Sequence, residues 1–67
     1  MLKIEVEQEA DGRWIAEVTA LPGVLAYGAT KAEARLRAAA LACRVIADRI
    51  EHGEPVPDEV HDLFAPA

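Results

Sequence analysis

Three turn signals constrain this chain more than any other feature. Asp11-Gly12, Leu21-Pro22-Gly23-Val24 and Gly28-Ala29-Thr30 cut the N-terminal half into short pieces, whereas no Gly or Pro interrupts the stretch from Ala29 to His52. The pieces have strand length and the long stretch has helix length. The order is therefore strand, turn, strand, turn, strand, then a capped helix.

Residues 2–9 alternate, with Leu2, Ile4 and Val6 on one side and Lys3, Glu5, Glu7 and Glu9 on the other. Residues 13–20 alternate again, with Trp14, Ala16 and Val18 opposite Arg13, Ile15, Glu17 and Thr19. A period of two marks a strand buried on one face. The two apolar faces must coincide, and this sets the register. A three-residue loop, Ala10 to Gly12, pairs Val6 with Ala16, Ile4 with Val18 and Leu2 with Ala20. A two-residue Asp-Gly turn would set apolar positions against polar ones. Gly12 then takes the left-handed position of the loop. The same register sets Glu5 directly across from Glu17 on the outer face, with Glu7 and Ile15 beside them. Like charges facing each other cost stability.

Leu21-Pro22-Gly23-Val24 has Pro and Gly where a type II turn wants them. A third strand follows at 24–27, and Gly28 breaks it. Thr30 is a helix N-cap, and Glu33 completes a capping box. The helix spans 31–52, with Gly53 as its stop and Pro55 beyond. Its charged side is narrow: Glu33, Arg37, Arg44, Asp48 and Glu51. The rest is largely apolar, in two stripes. One holds Leu36, Ala39, Ala40, Cys43, Ile46, Ala47 and Ile50. The other holds Ala34, Ala38, Leu41, Ala42 and Val45, edged by Arg35 and Arg49. A helix lying on one sheet needs an apolar face about 100° wide. This one has roughly twice that, which points to a second chain against Leu36, Ala40, Cys43, Ala47 and Ile50. Helix propensity alone would also account for the alanines, and the pattern does not say which stripe meets the sheet. Residues 53–57 form a rigid connector. In 58–67, Val60, Leu63 and Phe64 have helical spacing, yet 63–65 would equally suit a short fourth strand that Pro66 confines to an edge.

At 67 residues the chain makes one small domain, of a size that buries only about 60% of its unfolded surface. Its one cysteine, Cys43, allows no internal disulfide. Self-association, as a dimer or tetramer, is the expected source of the missing stability. A net charge of −5 disfavours direct contact with nucleic acid and favours a basic partner or none. Met1-Leu2-Lys3-Ile4-Glu5 carries no apolar signal segment, and no apolar run approaches a membrane span of about 20 residues, so the expected compartment is the cytoplasm.

The residues offer no catalytic constellation, and neither enzyme activity nor a cofactor is expected. His61 with Asp58 and Asp62 is too sparse for a metal site. Cys43, mid-helix on an apolar stripe, reads as buried and inert, with no adjacent base. Glu5, Glu7 and Glu17 stand on an open face where nothing separates their pKa values. They are a solvated surface or, with Ile15 among them, a binding surface. Trp14 belongs to the core by its position on the inner strand face.

The stretch Asp11-Gly12-Arg13-Trp14-Ile15-Ala16, then Leu21-Pro22-Gly23-Val24, Gly28-Ala29-Thr30 and Glu33-Ala34, closing with Gly53-Glu54-Pro55-Val56-Pro57, resembles the HicB family of type II antitoxins. The resemblance spans about residues 2–57. It implies an α+β fold of β-β-β-α-β order, part of a ribonuclease H-like fold without nuclease activity. A three-stranded antiparallel sheet would carry one long helix on one face. It also implies capture of a small basic HicA-like toxin that cleaves mRNA, and assembly into dimers or larger oligomers. The turn at Leu21–Val24 and the junction from Gly28 to Glu33 would be scaffold. The acidic face of Glu5, Glu7, Ile15 and Glu17 complements a basic protein and is the candidate toxin-facing surface. Many relatives continue into an operator-binding domain. The ten residues after Pro57 are too few for one, so direct DNA binding is not expected.

Overall fold

The computed structural model describes residues 1–64. Its elements are β1 (Ile4–Gln8), β2 (Trp14–Val18), β3 (Leu25–Gly28), α1 (Lys31–Glu51) and α2 (Asp58–His61). The strands form one open antiparallel sheet in the order β1-β2-β3. The long helix covers one face of it.

The hairpin has the register that coincidence of apolar faces requires: Ile4 opposite Val18, Glu5 opposite Glu17, Val6 opposite Ala16. The Glu9 N–H donates to the Arg13 carbonyl at 2.7 Å, closing a loop of Ala10, Asp11 and Gly12. Gly12 sits at φ +91°, where a side chain would be strained. The expected pairing of Leu2 with Ala20 does not form, and β1 starts at Ile4. The cause lies on β2: after Val18 the chain turns at once, the Leu21 N–H donating to the Val18 carbonyl at 3.0 Å. Leu2 has no strand left to face. The Leu21–Val24 turn closes with the Val24 N–H donating to the Leu21 carbonyl at 3.0 Å.

β3 lies one residue later than the expected 24–27, and Gly28 is its last residue, buried and paired with Trp14. A Cβ on Gly28 would lie 2.5 Å from the Ala34 backbone nitrogen. Glycine here lets the first turn of α1 rest directly on the sheet backbone.

Thr30 caps α1, its Oγ1 accepting the Glu33 N–H at 3.1 Å. Glu33 reaches back, but to the Ala29 N–H at 3.4 Å, one residue before the cap. The helix ends as a Schellman motif, the Glu54 N–H donating to the Arg49 carbonyl and the Gly53 N–H to the Ile50 carbonyl.

Ala34, Ala38, Ala42 and Ile46 are the buried residues of α1. Three of them belong to the alanine-rich stripe, so that stripe meets the sheet. Small residues on both sides explain the choice: Ala34, Ala38 and Ala42 share one core cluster with Ala16, and Ala26 packs on it. Leu36 or Ile50 on that side would hold the helix away. The core also takes in Val18, Leu21, Val24 and, from α2, Val60, which is 2% exposed. The closing element is therefore a single helical turn, and no fourth strand forms among the described residues. The strand reading reached Ala65, which lies outside them.

Candidate functional site

Strand alternation puts Ile4, Val6, Ala16 and Val18 toward α1 and leaves the opposite sheet face bare. That face is laid out by register in two rows. Glu5, Glu17 and Leu25 form one; Glu7, Ile15 and Tyr27 form the other. All four residues of the sequence-derived surface are thus brought together. Leu25 and Tyr27 complete it, each 38% exposed. Sequence reasoning did not place these two, although the period of two continues through β3 and would have done so once paired with β2. A shallow depression of about 450 Å³ lies among Glu5, Val6, Glu7, Ile15, Glu17 and Leu25.

The electrostatics are one-sided. Among the described residues, no Lys, Arg or His lies within ion-pair distance of Glu5, Glu7 or Glu17. The nearest part of the face with a cation is already engaged. The Arg13 guanidinium lies 4.5 Å from the centre of the Tyr27 ring and donates from Nε to Asp11 Oδ2 at 2.7 Å. The Arg13 N–H donates to Asp11 Oδ1 at 3.0 Å. That backbone bond first, and the guanidinium second, hold the Asp11 carboxyl below the usual aspartate range. Asp11 thus supports the loop at neutral pH, and this support is lost as pH falls through the lowered value. The result is a face with a neutralised rim at the hairpin loop and three unpaired carboxylates at its centre.

One carbonyl on the β3 edge is occupied by a side chain. Arg37 Nη1 donates to the Tyr27 carbonyl at 3.2 Å, while Nη2 lies 3.0 Å from Glu33 Oε1. A guanidinium on an edge carbonyl is one way to discourage strand addition there.

The second sequence-derived set behaves differently. Leu36, Ala40, Cys43, Ala47 and Ile50 are all exposed, on the side of α1 turned away from the sheet. Cys43 is a free, exposed thiol and not the buried one its apolar neighbours imply. The sheet took the other stripe, and Cys43 is left on the surface. Trp14 is partly buried and packs against the core from the inner face. His61 stands on α2, and among the described residues no group of three or more His, Cys, Asp or Glu is placed to hold a metal ion. No helix among them is long and apolar enough to cross a membrane.

Comparison with protein-family models, curated proteins and solved structures found no match for this chain.

Proposed function

We propose that the chain is a protein-binding module of the antitoxin type, acting in the cytoplasm by capturing a small basic protein on its bare sheet face. One observation carries this reading. Glu5 faces Glu17 across the hairpin with no cation of the described residues within ion-pair distance, and Leu25 and Tyr27 lie exposed beside the pair with half-buried Ile15 in the next row. Opposed like charges cost a sheet stability. A surface kept acidic and partly apolar against that cost has the composition a basic partner needs: carboxylates to steer it and an apolar centre to hold it. The order of turns that resembles the HicB family agrees with this and makes a HicA-like ribonuclease toxin the preferred partner. The exposed carboxylates have neither burial nor a neighbouring base to set them up for catalysis, so binding is preferred to enzymology.

The test is recovery of tagged protein from its native host at low salt, beside the double variant Glu5→Lys, Glu17→Lys. A stoichiometric small basic protein should accompany the natural chain, release with salt and be absent from the folded variant. Equal recovery by both forms would remove this face from the account. Recovery of the homo-oligomer alone by the natural chain would favour the second reading, an oligomeric scaffold or regulatory protein without a toxin. That reading is supported by the exposed apolar stripe on α1.

A further inference from the structure

β1 is an edge strand whose outward backbone groups have no partner among the described residues. The Glu9 N–H bonds to Arg13 across the hairpin. By alternation, Glu7 with Ile15 and Glu5 with Glu17 exchange the next ladder bonds. The N–H and C=O groups of Ile4, Val6 and Gln8 therefore point away from β2. The far side of β2 obeys the same alternation, the Val18 N–H donating toward β3 to the Val24 carbonyl at 3.0 Å. Among the described residues, no backbone or side-chain group bonds to the outward groups of Ile4, Val6 and Gln8. The edge at β3 differs, since Arg37 donates to the Tyr27 carbonyl at 3.2 Å.

The two sides of that edge have opposite chemistry. On the inner side lies an apolar groove of about 240 Å³ between β1 and α1, with Leu2, Ile4, Ala39, Cys43 and Ile46 in its wall. On the outer side stand Glu5 and Glu7, neither in an ion pair among the described residues. We propose that β1 accepts an added strand from a basic protein: an extended segment, antiparallel to β1, in which lysine or arginine alternates with aliphatic residues. Residues opposite Ile4 and Val6 share the inner face and reach the groove. Residues opposite Glu5 and Glu7 share the outer face and meet the carboxylates. A strand's period of two matches both sides at once, and the backbone bonds hold it there. The proposal rests on the reading of the acidic face as a surface for a basic protein, and names the element by which that protein is held.

Charge selects the occupant. A second copy pairing through the same edge, antiparallel about Val6, would set Glu5 of each copy opposite Glu7 of the other, twice. Opposed like charges disfavour that pair. An acidic segment meets the same repulsion. A wholly apolar one would cover the carboxylates without pairing them. Charged residues on an edge strand guard it against casual pairing, and carboxylates do so while still admitting a cationic strand. Antiparallel addition continues the pattern of the whole sheet and gives the stronger ladder.

The test titrates the isotope-labelled full chain with a blocked octapeptide of alternating lysine and valine, followed by amide NMR. The amides of Ile4, Val6 and Gln8 should shift and become protected from exchange, and salt should weaken binding. In an antiparallel ladder the valine N–H groups of the peptide face β1 and the lysine N–H groups face away. N-methylating the two central valines should therefore weaken binding roughly tenfold or more, and N-methylating the two central lysines should leave it unchanged. A peptide of alternating glutamate and valine should not bind. No binding of the lysine–valine peptide up to about 1 mM overturns the proposal. So does equal binding of the two N-methylated forms, or edge shifts that grow with protein concentration alone, which would put a second copy on β1. If N-methylation has no effect but Glu5→Lys, Glu17→Lys abolishes binding, the partner lies flat on the acidic face; the added strand is then struck and the reading beneath it stands. If valine N-methylation abolishes binding and that double variant does not, the acidic reading fails and takes this proposal's choice of a basic strand with it.

Discussion

Glu5 and Glu17 stand opposite each other on adjacent strands, with Leu25 completing the row on β3. A designer of a stable hairpin would put a lysine at one of these positions. The single substitution Glu17→Lys should therefore raise stability, by about 0.5–1 kcal/mol if the new cross-strand ion pair forms. Urea denaturation followed through Trp14 fluorescence would show it. The same substitution should weaken capture of a basic partner, so the two effects run in opposite directions. A Glu17→Lys protein that is less stable than the natural chain would mean that the face is not under the electrostatic strain the register implies. Asp11 is the counter-example on the same sheet. Its carboxyl is matched to the Arg13 N–H and guanidinium, and its lowered pKa records a local interaction that favours the folded loop.

At the level of elements, the junction of β3 with α1 is the tightest point. Gly28→Ala would drive a Cβ against the Ala34 backbone, and the neighbour is main chain that cannot swing aside. The expected loss is roughly 2–3 kcal/mol, a large part of what a domain this small has. A midpoint unchanged in urea would show that the helix can lift off the sheet at no cost. This close approach was invisible in the sequence, where Gly28 reads as a strand breaker. A glycine needed for contact between elements looks the same as one needed for a turn. Other elements were legible for definite reasons. The hairpin register follows from two alternating faces that must match, and the helix start from Thr30 and Glu33. The site on the bare face was legible for Glu5, Glu7, Ile15 and Glu17 because alternation alone places them. The choice between the two stripes of α1 was not, since both are apolar and only the alanines awaiting them on β2 and β3 decide it. The closing segment was ambiguous because a single turn of helix and a short strand bury Val60 or its neighbours equally well.

At the level of the whole molecule, lengths do not match. α1 has 21 residues and each strand 4 or 5. The helix is thus about 30 Å long over strands of about 17 Å. It overhangs the sheet, and α2 with Val56 covers only part of the remainder. A chain built this way should gain stability from its own concentration. Each tenfold rise in protein should lift the thermal midpoint by several degrees if folding and pairing are coupled. Differential scanning calorimetry over two decades of concentration tests this, and a constant midpoint would describe a self-sufficient monomer. Ala40→Glu should flatten the dependence.

Because α1 covers one side of the sheet only, the acidic rows and the apolar stripe point in opposite directions. Two copies joined through their helices would carry their carboxylate faces outward, one on each side of the pair. Such a pair is bivalent: it would take two basic ligands, one per copy, without mutual contact. Its valency would then show as avidity toward any target displayed in multiple copies, while toward a free monomeric toxin it would behave as two independent sites.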